Sequence, residues 1–129
     1  MKRLITLLLS LACFVVAGSG ADKVREISHQ ELNTAISAKQ VTLLDVNGTD
    51  SFTEGRLPGA IDYIANKDKI AALLPRDKNA LVVAYCGNEY CSAYQAAATA
   101  ARELGYTNVK HYAPGIDGWR KSGAKIEKS

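Results

Sequence analysis

The sequence predicts an α/β fold, in which strands form one sheet and helices cover it. Stretches typical of strands alternate with stretches typical of helices from about residue 24 to the end of the chain. Two strand candidates, residues 41–46 and 81–85, are almost continuously apolar, as expected for strands covered on both faces. The chain has 129 residues and no internal repeat or linker, so we expect one domain.

The first helix has the clearest start signal. Ser28 and Glu31 have the spacing of a capping box, and Ile27 and Leu32 have that of a hydrophobic staple. We therefore predict that this helix begins at Ser28 and runs to about Ala38.

Turn residues set most of the other boundaries. Pro75 ends a helix that begins near Lys67, and Gly105 is a suitable residue to follow a helix over residues 93–104. The strand over 81–85 is the most apolar, so we place it at the centre of the sheet. The remaining predicted elements are strands over residues 24–27, 41–46, 61–63 and 109–112, one helical turn over 51–54, and a turn over 114–119 that leads into a short C-terminal helix.

The first residues have the layout of a secretory signal peptide. Lys2 and Arg3 precede an apolar run over residues 4–17, and small residues follow at 19–21. We predict cleavage near Ala21, so that residues 1–21 are removed and residues 22–129 form the mature domain in the periplasm or outside the cell.

Two alternatives to cleavage remain, a retained anchor and a lipoprotein modified on Cys13. Ser10 stands where a lipoprotein signal prefers an aliphatic residue, and the apolar run continues after Cys13. We therefore favour a cleaved signal over a lipid anchor.

Charge and composition exclude several functions. Sixteen Lys and Arg residues against 13 Asp and Glu residues give a net charge of +3, and the basic residues are scattered. This pattern argues against nucleic acid and against an anionic membrane surface as partners. Two histidines and no Cys-x-x-Cys pattern give no support for a metal site, and we expect no cofactor. We expect a monomer.

Cys86 is the leading candidate for chemistry. It ends the apolar strand over 81–85 and begins a seven-residue segment, 86–92, before an alanine-rich helix. A thiol between a tight loop and a helix N-terminus faces several backbone N–H groups, which favour an anion. Gly87 lets the backbone turn, and Ser92 is placed to cap the helix. The alternative is that Cys86 is a small buried apolar residue.

Cys91 lies five residues after Cys86, at the start of the helix. It is a candidate resolving thiol that could attack an oxidised Cys86 or form a disulfide with it. The alternative is that Cys91 only fills space under the loop. Spacing does not decide, because loop curvature determines whether the two sulfurs meet.

Four stretches of the chain together resemble one family. Leu44–Val46 and Gly55–Ala60 are similar to the DVR…E…GHIPGA signature of the rhodaneses, and Gly115–Trp119 is similar to their GG…W element. The strand that ends in the loop Cys86–Ser92 lies between them. The resemblance to a single-domain, thiosulfate sulfurtransferase-like rhodanese implies a five-stranded, mainly parallel sheet with helices on both faces. It also implies an active site at the carboxyl edge of the central strand.

This resemblance implies sulfur transfer with Cys86 as the catalytic nucleophile. Cys86 would take a sulfur atom from thiosulfate, a polysulfide or a persulfide and pass it to a thiol, cyanide or a protein acceptor. The loop that would hold the donor consists of Gly87, Asn88, Glu89, Tyr90, Cys91 and Ser92. The alternative function is a thiol–disulfide redox or sulfur-carrier protein that uses Cys86 and Cys91.

The loop departs from the family pattern in its charge. It contains Glu89 and no basic residue, which disfavours the dianion thiosulfate. Asn47 and Arg56 replace the usual Arg and His of the first motif. A cysteine phosphatase is excluded, because Ser92 closes the loop where such enzymes need an Arg.

Three further residues are expected to support the site. Asp45 would bond backbone groups near the loop, and Arg56 would supply positive charge or lie in a solvated turn. Trp119 would form an apolar wall of the pocket, as would Tyr90, or else anchor the core. His111, in the last strand, would lie near the pocket or bond to solvent.

Overall fold

A computed structural model describes residues 23–129, and the predicted signal peptide over 1–21 lies outside the described residues. The domain is built on a five-stranded sheet with the order β1-β5-β4-β2-β3, and each neighbouring pair is parallel. The strands are β1 (Arg25–Glu26), β2 (Thr42–Asp45), β3 (Ile61–Asp62), β4 (Val82–Tyr85) and β5 (Val109–Tyr112). The α/β fold and the central position of β4 are therefore confirmed.

Helices cover both faces of this sheet. They are α1 (His29–Ser37), α2 (Thr49–Glu54), α3 (Tyr63–Asn66), α4 (Ile70–Leu73), α5 (Tyr94–Glu103) and α6 (Gly115–Lys121), with a 3-10 turn over Lys67–Lys69. Alternate residues of β4 point to opposite faces, so Val82 and Ala84 pack with α5 while Val83 and Tyr85 pack with Trp119 of α6. Within residues 23–129, no helix combines the length and apolarity that crossing a membrane requires.

The start of α1 follows the sequence prediction. The Ser28 hydroxyl accepts a hydrogen bond from the Glu31 N–H at 3.1 Å, and the helix begins at the next residue. Ile27 and Leu32 are both buried in the same apolar cluster, as a hydrophobic staple requires.

The region after β3 differs from the sequence prediction. The helix predicted over 67–74 is instead α3, a 3-10 turn and α4, and Tyr63 belongs to α3 rather than to the strand. The reason is a cap that the pattern did not reveal, since the Asp62 carboxylate accepts from the Ala65 N–H at 3.1 Å. The helical segment therefore begins directly at the end of β3.

A buried chain of hydrogen bonds links β2, β4 and the turn before β3. The Tyr85 hydroxyl donates to the Asp45 carboxylate at 2.5 Å and accepts from the Leu57 N–H at 3.1 Å. Asp45 also accepts from the Asn47 N–H at 2.8 Å. Burial raises the pKa of the Asp45 carboxyl, and the hydrogen bond from Tyr85 partly opposes that rise. Asp45 thus fixes the end of β2, and its hydrogen bonds do not reach the 86–92 loop.

Removing the Tyr85 hydroxyl should destabilise the fold. We expect Tyr85→Phe to lower the free energy of unfolding by about 2–6 kcal/mol, since each of the two buried groups left without a partner costs about 1–3 kcal/mol. Denaturant unfolding measures this. Tyr63→Phe is the matched control, because Tyr63 is buried and its hydroxyl has no hydrogen-bond partner among residues 23–129. Equal losses in the two variants would contradict the assignment.

Candidate active site

Cys86 follows β4 directly, at the carboxyl edge of the central strand, and is 2% exposed. Its main chain is held by the start of α6. The Ile116 N–H donates to the Cys86 carbonyl at 3.0 Å, and the Asp117 N–H donates to the Gly87 carbonyl at 2.9 Å. Gly115 has a φ of +64°, and a Cβ there would lie 2.4 Å from the Cys86 carbonyl oxygen. Only glycine therefore allows α6 to approach this closely.

The Cys86 sulfur is the acceptor for the first turn of α5. The Tyr94 N–H donates to Cys86 Sγ at 3.2 Å, and the neighbouring Ala93 N–H also lowers the pKa of the Cys86 thiol. The first N–H groups of a helix have no partner within the helix. The sulfur therefore satisfies donors that a capping side chain would otherwise take.

This arrangement corrects the predicted role of Ser92. The N-cap of α5 is Ala93, whose backbone is already helical, and it makes no side-chain capping bond. Ser92 is exposed and contributes its carbonyl, which accepts from the Gln95 N–H at 3.0 Å. The helix starts one residue later than predicted because the Cys86 sulfur, rather than a hydroxyl, accepts its first donors.

The middle of the loop is folded around Asn88. The Asn88 side-chain oxygen accepts from the Tyr90 N–H at 3.0 Å, and its carbonyl accepts from the Cys91 N–H at 3.3 Å. Those N–H groups are engaged within the loop, so the recorded donors to sulfur come from the start of α5. Glu89 is exposed at the tip, and Tyr90 is 89% exposed. Tyr90 is therefore an exposed loop aromatic, and it also lines a cavity beside the loop.

A cavity of about 340 Å³ lies beside the loop. Loop residues line one side and α6 lines the other, and the lining residues are Asn88, Glu89, Tyr90, Pro114, Asp117, Gly118 and Lys121. Two carboxylates against one ammonium make this rim acidic on balance, in keeping with the charge expected from Glu89.

Loop curvature brings Cys91 to Cys86. Cys91 lies close enough to Cys86 to raise the pKa of the Cys86 thiol, and both are free cysteines. Cys91 is partly exposed and packs against the apolar cluster beneath the loop. The fold therefore places the two thiols near each other, which spacing alone left open.

The Cys86 thiol is protonated in its resting state at neutral pH. Burial raises its pKa to about 12, and the hydrogen bond to Cys91 acts in the same direction. The N–H groups of Tyr94 and Ala93 lower the pKa but do not cancel the effect of burial. The sequence predicts that the loop and the helix N-terminus favour a thiolate. In the structure, desolvation has the larger effect on the Cys86 pKa and favours the thiol.

Arg56 is engaged away from the loop. Its guanidinium forms an ion pair with Glu127 at 3.7 Å, donates to the Phe52 carbonyl at 3.0 Å and donates to the Ser129 hydroxyl at 2.9 Å. Its recorded hydrogen bonds and ion pair join α2 to the C-terminal segment rather than to Cys86.

Trp119 is a core residue. It is 1% exposed, and its indole N–H donates to the Lys125 carbonyl at 2.7 Å. Its ring packs against His29 and Tyr112. Of the two roles considered for Trp119, the structure supports the core anchor.

The sequence missed or undervalued three residues around the loop. His111 is 9% exposed, and its ring stacks on that of Tyr94 at 3.7 Å between centroids. Tyr94 was not singled out, although an aromatic residue at the first position of the helix behind Cys86 was a usable signal. Asn47 lies beside the loop, since its side-chain oxygen is 3.5 Å from the position of a Cβ on Gly87.

No group of three or more His, Cys, Asp or Glu residues within the described part of the chain is arranged to hold a metal ion.

The chain belongs to the rhodanese-like domain family, whose model matches residues 28–122. A curated relative, the HTH-type transcriptional regulator Rv0324 of Mycobacterium tuberculosis, is 34% identical over 119 residues, which are 92% of this chain. The chain spans about half (50%) of the length of that relative.

Solved structures share the fold. The BH2092 protein from Bacillus halodurans and a rhodanese-related protein from Thermoplasma volcanium each superpose with a TM-score of 0.63 at 23% identity, over 81% of this chain. The matches cover 77% and 99% of those two chains, respectively. SseA from Escherichia coli, described among 3-mercaptopyruvate sulfotransferases, matches with a TM-score of 0.63 at 18% identity over 83% of this chain and 51% of its own. At these identities the likeness shows the fold.

Removing Cys91 should make Cys86 more reactive. Because Cys91 raises the Cys86 pKa, we expect Cys91→Ala to lower that pKa and to speed alkylation of Cys86 at a fixed pH between 7 and 10. The gain should be about threefold for each unit of pKa, since a less basic thiolate is also a weaker nucleophile. Iodoacetamide labelling of reduced protein, followed by peptide mass spectrometry, measures the rate.

Cys91→Ser is the matched control. Its hydroxyl can still accept from the Cys86 thiol, so its rate should stay closer to that of the unmodified protein. A slower or unchanged rate in Cys91→Ala would show that Cys91 does not hold the Cys86 proton.

Proposed function

We propose that the protein is a sulfurtransferase that carries sulfane sulfur as a persulfide on Cys86. One observation carries the proposal: in a rhodanese-like domain, the cysteine at the end of the central strand accepts the Tyr94 N–H at 3.2 Å. A sulfur that already receives helix N-terminal donors is suited to a reaction that passes through an anion.

Loading and unloading are two displacements at sulfur. Cys86, which is protonated at rest, first loses its proton to solvent. The thiolate then attacks the outer sulfur of a donor, and the bond from that sulfur to the donor breaks, so the donor leaves as an anion. An acceptor thiolate or cyanide then attacks the outer sulfur of the Cys86 persulfide. The S–S bond breaks towards Cys86, which leaves as a thiolate, and the sulfur departs with the acceptor.

We infer that the donor is a polysulfide or a persulfide rather than thiosulfate. No residue of the loop is basic, and the cavity beside it carries Glu89 and Asp117 against Lys121. Arg56, which stands where the family usually has a histidine, is paired with Glu127. The dianion thiosulfate therefore has no side-chain cation of the loop to hold it, whereas an organic persulfide or a singly protonated polysulfide carries one negative charge and depends less on such a cation.

The loading test is a mass measurement. After incubation with polysulfide, the Cys86 peptide should gain about 32 Da, the mass of one sulfur atom expected of the covalent intermediate. Thiosulfate at the same concentration should load more slowly. Cys86→Ser should lose the adduct and Cys91→Ser should keep it, and the opposite pattern would show that Cys91 is the nucleophile. Turnover with a small thiol acceptor separates an enzyme from a stoichiometric carrier.

A second candidate function is thiol–disulfide exchange, and the contact between Cys86 and Cys91 favours it. The Cys91 thiolate would attack the inner sulfur of the Cys86 persulfide, expel hydrosulfide and leave a Cys86–Cys91 disulfide. An external dithiol would then reduce the disulfide. Export of the chain, which we propose from residues 1–21, would place this pair in an oxidising compartment.

The redox candidate predicts a reducible disulfide within one chain. Polysulfide-loaded protein should release hydrosulfide on standing, and a Cys86–Cys91 peptide that dithiothreitol separates should appear in step with it. Cys91→Ser should retain its persulfide over the same period. If the persulfide is equally long-lived in both proteins and no linked peptide forms, Cys91 is not a resolving thiol.

A further inference from the structure

Tyr94, the first residue of α5, contacts the sheet in two ways. Its N–H donates to Cys86 Sγ at 3.2 Å, and its ring lies flat on the His111 ring, at 3.7 Å between centroids and 3° between planes. The N-cap of α5 makes no side-chain bond that would hold this turn in place. The stack is therefore a direct side-chain tie between the turn that serves the sulfur and the sheet.

The position of His111 explains how Tyr94 can contact both the Cys86 sulfur and the sheet. His111 pairs in register with Ala84, which lies two residues before Cys86 and on the same face of the sheet. Strand spacing and rise place the Cα atoms of His111 and Cys86 about 8 Å apart. Tyr94 spans this distance, with its ring on one strand and its backbone at the end of the next.

His111 acts in this contact as a neutral flat ring. It is 9% exposed, and its Nδ1 has no hydrogen-bond partner among the described residues. Burial lowers the pKa of the imidazole; the Glu26 carboxylate opposes that shift and Lys23 adds to it. A buried ring nitrogen without a partner is unfavourable, so the histidine is not explained by hydrogen bonding. Its recorded ring contact is the stack on Tyr94.

We propose that Tyr94 and His111 are a positioning pair whose ring stack holds the Tyr94 N–H against the Cys86 sulfur. In this proposal neither ring takes part in the reaction. The pair acts through the backbone donor, and losing the stack withdraws that donor. The inference rests on Cys86 being the reactive thiol of the proposed function, but it concerns the ionisation of Cys86 and not the transfer of sulfur.

The proposal predicts the direction of a rate change. Losing the N–H donor raises the Cys86 pKa by about one unit, which slows alkylation at a fixed pH about threefold. A merely structural role predicts the opposite, because a loosened helix exposes Cys86, removes the desolvation and speeds alkylation. The sign of the change therefore separates positioning from packing.

The decisive variants are His111→Leu and His111→Phe. Both keep an apolar side chain of suitable size, but only Phe keeps a flat ring under Tyr94. Cys86 alkylation by iodoacetamide is measured from pH 7 to 10.5 on the reduced, full-length protein, with the Cys86 and Cys91 peptides quantified separately. Tyr106→Phe is the control, because Tyr106 is bonded to the Pro75 carbonyl and lies beyond the far end of α5.

We expect His111→Leu to shift the rate profile about threefold downwards, and His111→Phe and Tyr106→Phe to leave it unchanged. If alkylation slows equally in His111→Leu and His111→Phe, the ring nitrogens and not the ring stack cause the effect, and the proposal is overturned. A positioning role is rejected if alkylation in His111→Leu is faster or unchanged. It is also rejected if Tyr106→Phe slows alkylation as much as His111→Leu does. Alkylation needs no sulfur donor, so failure to form a persulfide with this pattern intact would reject the proposed function alone.

Discussion

The Cys86 sulfur is a buried hydrogen-bond acceptor. It contacts the start of α5, and the backbone beside it contacts the start of α6. The first N–H groups of α5 point to the sulfur, while the first N–H groups of α6 bond the Cys86 and Gly87 carbonyls. Gly115 allows the second approach, because any side chain there would meet the Cys86 backbone. The end of β4 and the starts of α5 and α6 therefore meet at Cys86 and Gly87.

Burial and hydrogen bonding act on this sulfur in opposite directions. Desolvation disfavours the thiolate, and the N–H groups of Ala93 and Tyr94 favour it. In the resting protein desolvation dominates, so Cys86 holds its proton. In the proposed mechanism the charge of the persulfide resides on the outer sulfur, about 2 Å from the buried Cys86 sulfur. We expect desolvation to disfavour the persulfide anion less than it disfavours the thiolate. The same site can therefore suppress the free Cys86 thiolate and still hold the Cys86 persulfide.

The sequence predicts those features that depend on local patterns. The central strand, the Ser28 cap and the glycine after α5 follow from apolar runs and capping residues, and the structure contains each of them. The cap at Asp62 was missed because Asp is ambiguous at a strand end. The role given to Ser92 was wrong because the competing acceptor, a sulfur eight residues before Tyr94 in the chain, is brought to the helix only by the fold. The stack of Tyr94 on His111 likewise joins residues far apart in sequence.

The departures from the family pattern have a common consequence for the site. Arg56 replaces a histidine and forms its ion pair with Glu127 of the C-terminal segment. Asn47 replaces an arginine beside Gly87. Glu89 adds negative charge at the loop tip. No side-chain cation of the loop is left to bind a donor, so stabilisation of an anion at Cys86 falls to the backbone N–H groups of α5. Such donors act at hydrogen-bonding distance, whereas a side-chain cation would also attract distant dianions. In the proposed function, this site would therefore discriminate among sulfur donors by whether their outer sulfur can reach Cys86, and the position of the first turn of α5 would matter more here than in a site with a basic loop.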